Sequence, residues 1–161
     1  TYNGWIMAGL SLLHWQTSNS TYKTALDNAR TFWIDTIWNE TNTSFNTGYD
    51  TETGTYTYDA SWEAMPQGAM LLGISTYYKY VSQNSTVLSV IDKQANKGIN
   101  RQGNRVNTWQ FASNVEDSTY VYYGMYFTYL ATSNSTYKTT FLKHKKASLA
   151  LNCLSQNSSL Y

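Results

Sequence analysis

Charged side chains are scarce in this sequence of 161 residues: they make up 13% of it, and the formal net charge is +1. That balance argues against electrostatic steering towards nucleic acid or an anionic membrane as the main activity. We therefore expect no nucleic-acid partner. The one basic cluster, Lys143–Lys146, is typical of a solvated helix face.

Long apolar runs are also missing, and none approaches the ~20 residues that a membrane span needs. With one cysteine, Cys153, the chain cannot form an internal disulfide. No His, Cys and Asp residues have the spacing of metal ligands, and no glycine-rich phosphate loop follows a strand. We expect no membrane span, no metal and no cofactor.

What the sequence has in place of charge is 15 Tyr, 6 Trp and many Ser, Thr and Asn residues. Six positions fit the N-glycosylation pattern Asn-X-Ser/Thr. Because the chain also begins with Thr1 rather than Met, we expect either a removed leader or a cut from something longer. The composition favours a secreted or cell-surface glycoprotein, with acceptors at Asn19, Asn39, Asn42, Asn84, Asn134 and Asn157.

The octapeptide TSNSTYKT occurs twice, at Thr17–Thr24 and Thr132–Thr139, and a weaker copy lies at Ser82–Ser89. A run that is apolar and aromatic at helical spacing precedes each copy, and a more amphipathic helical pattern follows it. Each copy is therefore predicted to be the tight turn of an αα-hairpin. Ser or Thr is expected to cap the second helix, and Gly98 is expected to end the middle one.

The predicted fold is all-α: one domain containing an array of three αα-hairpins, at approximately 3–38, 60–98 and 117–155. The first helix of each hairpin is apolar nearly all round, so it should be buried in an inner layer. Small residues recur in register there, Gly9 with Gly124 for example, and would let helices approach closely. Short β-ribbons are expected in the two long connections, Asn39–Asp59 and Gly98–Asp117.

Most of the acidic residues lie in these connections or at the start of the next inner helix. Hairpins keep inner helices parallel, so carboxylates, aromatic rings and positive helix ends should meet at one end of the bundle. Aromatic rings stack on sugars, and paired carboxyl groups cleave glycosidic bonds. The same acids also fit as helix caps, and the same rings as core. The candidate catalytic residues are Glu116, Asp117, Asp59 and Glu63, and the candidate sugar-binding residues are Trp62, Trp109, Tyr58 and Tyr120.

The hairpin array with Asn-Ser-Thr turns resembles the (α/α)6 toroid glycosidases. Within that group, Asn114–Phe141 is similar to a segment of glycoside hydrolase family 76, the α-1,6-mannanase family. In that family, two adjacent aspartates precede an aromatic-rich inner helix; here the pair is Glu116-Asp117. The resemblance implies a partial α/α toroid and a glycosidase-type site, but three hairpins supply only about half of a six-hairpin ring.

Three functions remain open at this point. The first is a structural, self-assembling surface glycoprotein, whose partners would be copies of itself or the rest of a longer chain. The second is a glycoside hydrolase or related enzyme acting on an oligosaccharide. The third is a glycan-binding module without catalysis.

Overall fold

A computed structural model describes residues 2–46, 48–57, 64–103 and 115–142. Five helices have defined ends within these ranges: α1 (Tyr2–Thr17), α2 (Ser20–Thr31), α3 (Ala64–Tyr80), α4 (Ser85–Gly103) and α5 (Val115–Thr132). Residues 135–142 are helical as well and are called α6. A π-helical turn, Phe32–Ile37, continues α2.

Four short strands form two antiparallel ribbons in the first long connection. The strand β1 (Trp38–Asn39) pairs with β2 (Ser44–Phe45), and β3 (Gly48–Asp50) pairs with β4 (Thr55–Thr57). The mainly helical class and a ribbon in this connection are thus confirmed. The strand predicted near residues 106–111 lies outside the described residues.

Two sequence predictions about helix ends are wrong. Gly98 does not stop the middle helix, because α4 runs through it to Gly103, and Gly98 is buried inside the helix. The caps are also not Ser or Thr. Asn19 is the N-cap of α2, and its Oδ1 accepts a hydrogen bond from the Thr21 backbone N–H at 2.8 Å. An asparagine side chain reaches the free N–H groups of a first turn as readily as a hydroxyl does.

The two identical octapeptides adopt the same turn. Ser18 and Ser133 both have left-handed backbones, with φ of 53° and 60°. Their N–H groups donate to the carbonyls of His14 (2.7 Å) and Tyr129 (2.8 Å), four residues back. Asn134 repeats the cap of Asn19 through the Thr136 N–H at 2.9 Å. The repeated sequence therefore specifies a repeated bend between two helices.

The middle copy, Ser82–Ser89, also caps its second helix with asparagine but has a different backbone conformation. Asn84 accepts hydrogen bonds from the N–H groups of Thr86 (2.8 Å) and Val87 (3.3 Å), so it caps α4 as Asn19 caps α2. No residue of this turn has a positive φ. The asparagine, rather than the full octapeptide, is what the three turns share.

The helices α1, α3 and α5, called here the inner helices, touch through glycine. A Cβ atom on Gly73 would lie 2.7 Å from the Gly4 carbonyl oxygen, and one on Gly124 would lie 2.7 Å from the Gly68 oxygen. Any side chain at these positions would collide with backbone. Contacts further along the helices follow in the same order, Trp15 with Tyr80 and Ser75 with Thr128, so the inner helices run parallel.

Burial differs sharply between the inner helices. In α3 every residue from Gln67 to Tyr77 is buried, as an apolar helix with neighbours on several sides requires. Helix α1 was also expected to be buried, yet it buries only Gly4, Met7, Ala8 and Ser11. The expected close approach at Gly9 is also not observed within the described ranges, where no atom lies within 4 Å of a Cβ built on it.

Tyrosine–aspartate hydrogen bonds link successive helix pairs. The Tyr77 hydroxyl on α3 donates to Asp27 of α2 at 2.7 Å, and the Tyr137 hydroxyl on α6 donates to Asp92 of α4 at 2.8 Å. Asp27 follows Asn19 by the same number of positions by which Asp92 follows Asn84. Burial and the bond to Asp92 raise the pKa of Tyr137, so its hydroxyl stays a donor at neutral pH.

The left-handed turn residue gives a first prediction. Replacing Ser133 with glycine should raise the free energy of unfolding by about 0.5–1 kcal/mol, because glycine adopts a positive φ without steric cost. Thr139→Gly, at an exposed position inside α6, should lower it by a similar amount. Urea denaturation measures both. Equal effects of the two variants would contradict the turn geometry.

The Asp27 link gives a second prediction. Burial raises the pKa of Asp27, but hydrogen bonds from Lys23 and Tyr77 together outweigh it and hold that pKa below its usual value. The stabilisation is then present above the unfolded-state pKa and is lost as pH falls through the folded-state pKa. Tyr77→Phe should cost about 1 kcal/mol at neutral pH, a charged hydrogen bond discounted for partial exposure.

In strong acid the cost of Tyr77→Phe should shrink, because a protonated Asp27 is a weaker acceptor. Denaturation midpoints at neutral and acidic pH test this. Tyr22→Phe is the control, since no hydrogen bond of its hydroxyl to any described residue is seen. A pH-independent loss in Tyr77→Phe would show that another contact of the hydroxyl, such as its hydrogen bond with Ser82, matters rather than the Asp27 bond.

Candidate functional site

The site that the structure builds best is an aromatic cluster across the inner helices. The Trp5 ring of α1 contacts two rings of α5 edge-on, with centroids 5.9 Å from Tyr120 and 5.7 Å from Tyr123. Edge-to-face pairs at these distances are favourable. Since α1 and α5 both pack on α3, rings that meet across α3 show that the three helices form an arc, and the cluster lies on its concave side.

The cluster is only half covered. Trp5 is 39% exposed and Tyr123 is 38% exposed, although both rings have packed neighbours. Tyr120 is partly buried, and its backbone is the part of α5 that a side chain on Gly68 would strike. The glycine contact thus sets how close the α5 rings come to Trp5. A half-exposed aromatic surface results in the N-terminal halves of α1 and α5.

The predicted acid pair lies beside this cluster in the chain. Glu116 and Asp117 belong to the first turn of α5, where the backbone N–H groups are positive. Glu116 precedes Tyr120 by one turn and Tyr123 by two, so the backbone positions of all three share one face of α5. Asp117 is rotated from this face towards the side of Gly124. Nothing further is described for these two residues.

The other predicted site residues fall elsewhere. Tyr58, Asp59, Trp62, Glu63 and Trp109 lie outside the described residues, as does the acceptor Asn157. Of the eight candidate site residues, Tyr120 is the one with described side-chain contacts, and these are with Trp5. Sequence reasoning missed Trp5 itself. The signal was present, because Trp5 precedes Asn19 by the same number of positions by which Tyr120 precedes Asn134.

A buried amide pair holds the first ribbon against α3. The Gln67 side chain accepts from the Phe45 N–H at 3.0 Å and donates to the Phe45 carbonyl at 2.8 Å. The side-chain amide of Gln94 in α4 donates to two oxygens of Gln67, the backbone carbonyl oxygen and the side-chain oxygen. Gln67 lies in the first turns of α3, so the ribbon is fixed at the same end of the inner helices as Trp5.

Two acids of the ribbons have structural partners. Glu40 forms an ion pair with Lys93 and accepts from Trp38 Nε1 at 2.8 Å. Asp50 accepts from the N–H groups of Glu52 (2.9 Å) and Thr53 (3.4 Å) in the β3–β4 turn. Lys93 chiefly lowers the pKa of Glu40, and Thr53 chiefly lowers that of Asp50. Both are therefore ionised at neutral pH and unsuited to act as general acids.

Four of the six predicted glycosylation acceptors, Asn19, Asn42, Asn84 and Asn134, lie at turns. Asn19 and Asn134 are exposed, Asn84 is partly exposed, and each caps a helix through Oδ1, whereas a glycan is attached to the side-chain nitrogen. Asn39 and Asn42 lie in the β1–β2 ribbon, where the Asn39 side chain accepts from the Asn42 N–H at 3.0 Å. Capping and attachment therefore use different atoms of the same side chain.

Within residues 2–46, 48–57, 64–103 and 115–142, no three His, Cys, Asp or Glu residues come together as metal ligands. None of the helices described is long and apolar enough to cross a membrane. Comparison of the chain with protein-family models, with curated proteins and with solved structures finds no match in any of the three.

Proposed function

We propose that the concave end of the inner helices is a carbohydrate site, and that the chain is a secreted α/α-toroid-type protein acting on an oligosaccharide. The observation that carries this proposal is the half-exposed cluster of Trp5, Tyr120 and Tyr123, with Glu116 one turn before Tyr120 on the same face of α5. A sugar ring presents an apolar face that such a surface can bind.

The chemistry would be glycoside hydrolysis. Glu116 acts as the base or nucleophile, and a second carboxyl group donates a proton to the glycosidic oxygen. Asp117, the neighbour of Glu116 in the chain, is one candidate for the second carboxyl group, and Asp59 and Glu63 are the others. The partial positive charge at the start of α5 favours the ionised form of Glu116, which this role requires.

This proposal gives a third prediction, tested with an α-1,6-linked manno-oligosaccharide. Glu116→Gln should lower turnover by about 10²–10⁴-fold, the range typical of general acid–base catalysis, and leave binding in place. Trp5→Ala should weaken binding roughly tenfold, a loss of about 1.4 kcal/mol of ring contact. Calorimetry measures the binding, and reducing-end release measures the turnover.

Trp15→Ala is the matched control. Trp15 is on the same helix and is 58% exposed, but it packs on Tyr80 at the far end of α3, with centroids 5.1 Å apart. It should leave binding unchanged. Equal losses in the two tryptophan variants would contradict the site. Binding without turnover in the unaltered chain would replace the enzyme with a glycan-binding module.

A second candidate function is a structural, self-assembling role. The observation that favours it is the apolar surface that α1 leaves open, where Tyr2 is 80% exposed, Ile6 57% and Leu13 43%. Exposed apolar patches on one face of a helix are typical of interaction surfaces. Assembly is compatible with the carbohydrate site, because this open face and the concave cluster are different sides of α1.

A further inference from the structure

The open face of α1 is built like a helix-packing surface. Tyr2, Ile6, Gly9 and Leu13 recur at helical spacing on one side of α1, opposite the side that Gly4 presses against α3. Gly9 is exposed, and a Cβ atom built on it would meet no atom of the described residues within 4 Å. A glycine in the middle of an exposed helix lowers helix stability by up to about 1 kcal/mol relative to alanine. We therefore expect Gly9 to be offset by a close contact with another helix.

The repeat shows what kind of partner fits. Gly9 precedes Asn19 by the same number of positions by which Gly124 precedes Asn134. In α5, Gly124 is the residue that lets the helix lie on the backbone of α3, the preceding inner helix, at Gly68. Gly9 is therefore equivalent to the residue through which an inner helix packs on the preceding inner helix. The described part of the chain places no helix against Gly9.

A helix that packs on α1 at Gly9 must carry a small residue at the position equivalent to Gly68. Gly68 precedes Asn84 by the same number of positions by which Ser118 precedes Asn134. Helix α5 therefore has a small residue at the required position, on the last inner helix of the described array.

Charge does not oppose the contact. Helix α1 contains no Asp, Glu, Lys or Arg, and α5 has its only two charged residues, Glu116 and Asp117, in the first turn. Two neutral apolar helix faces can meet without desolvating an unpaired charge.

We propose that the open face of α1 binds α5 of a second copy of this chain, in the parallel packing that α5 makes with α3, so that two copies join in a closed pair. In a twofold pair, α1 of each copy meets α5 of the other copy, so the two equivalent contacts close the assembly. The inference rests on the second proposed function, assembly, and is independent of the carbohydrate site.

The test is the mass of the intact chain in solution, by light scattering and sedimentation velocity over a range of concentrations. The unaltered chain should reach twice its 18.4 kDa. Gly9→Gln should weaken the association at least about tenfold, because a side chain there holds the two backbones apart. Its melting temperature as a monomer should not fall, since glutamine favours helix over glycine.

Ser89→Gln, the same side chain at an exposed position of α4, is the control and should pair like the unaltered chain. If Gly9→Gln pairs as tightly as the control, this interface is wrong, although assembly would stand. If the unaltered chain stays a monomer at high concentration, both the interface and the assembly role are refuted. Neither result bears on glycan binding.

Discussion

The contact on which the structure depends is backbone against backbone, at two places where inner helices cross. At Gly4 with Gly73 and at Gly68 with Gly124, the distance between helices is set by the absence of side chains. Such contacts allow Cα–H···O interactions and dense packing, and they leave no room for adjustment. Parallel helices fixed this closely form a narrow arc.

The position of the aromatic cluster follows from that arc. Trp5 reaches Tyr120 and Tyr123 only because α3 brings α1 and α5 close on both of its sides. The outer elements hold α3 at both ends: Gln67 fixes a ribbon at the end of the cluster, and Tyr77 ties the opposite end to the helix pair before it. The repeated turns and the polar loops, which look unrelated in the sequence, thus hold the ends of the same three helices.

Helix class and turn positions could be predicted from the sequence, because apolar spacing and a literal repeat are local signals. The asparagine caps were misassigned by one residue, since Ser, Thr and Asn all accept the same hydrogen bond. Gly98 was misread as a stop, because its burial within α4 is a tertiary effect. Trp5 was missed since its partners are more than a hundred positions away, and α1 was expected to be buried because periodicity does not reveal which neighbours are present.

The central claim is tested most directly by nuclear Overhauser effects between glycine α-protons in the isotopically labelled chain. The account predicts strong cross-peaks between Gly4 and Gly73 and between Gly68 and Gly124, since only touching backbones bring these protons within range. Their absence, in spectra where contacts within each helix are fully observed, would show helices separated by side chains. The arc, and the site built on it, would then be wrong.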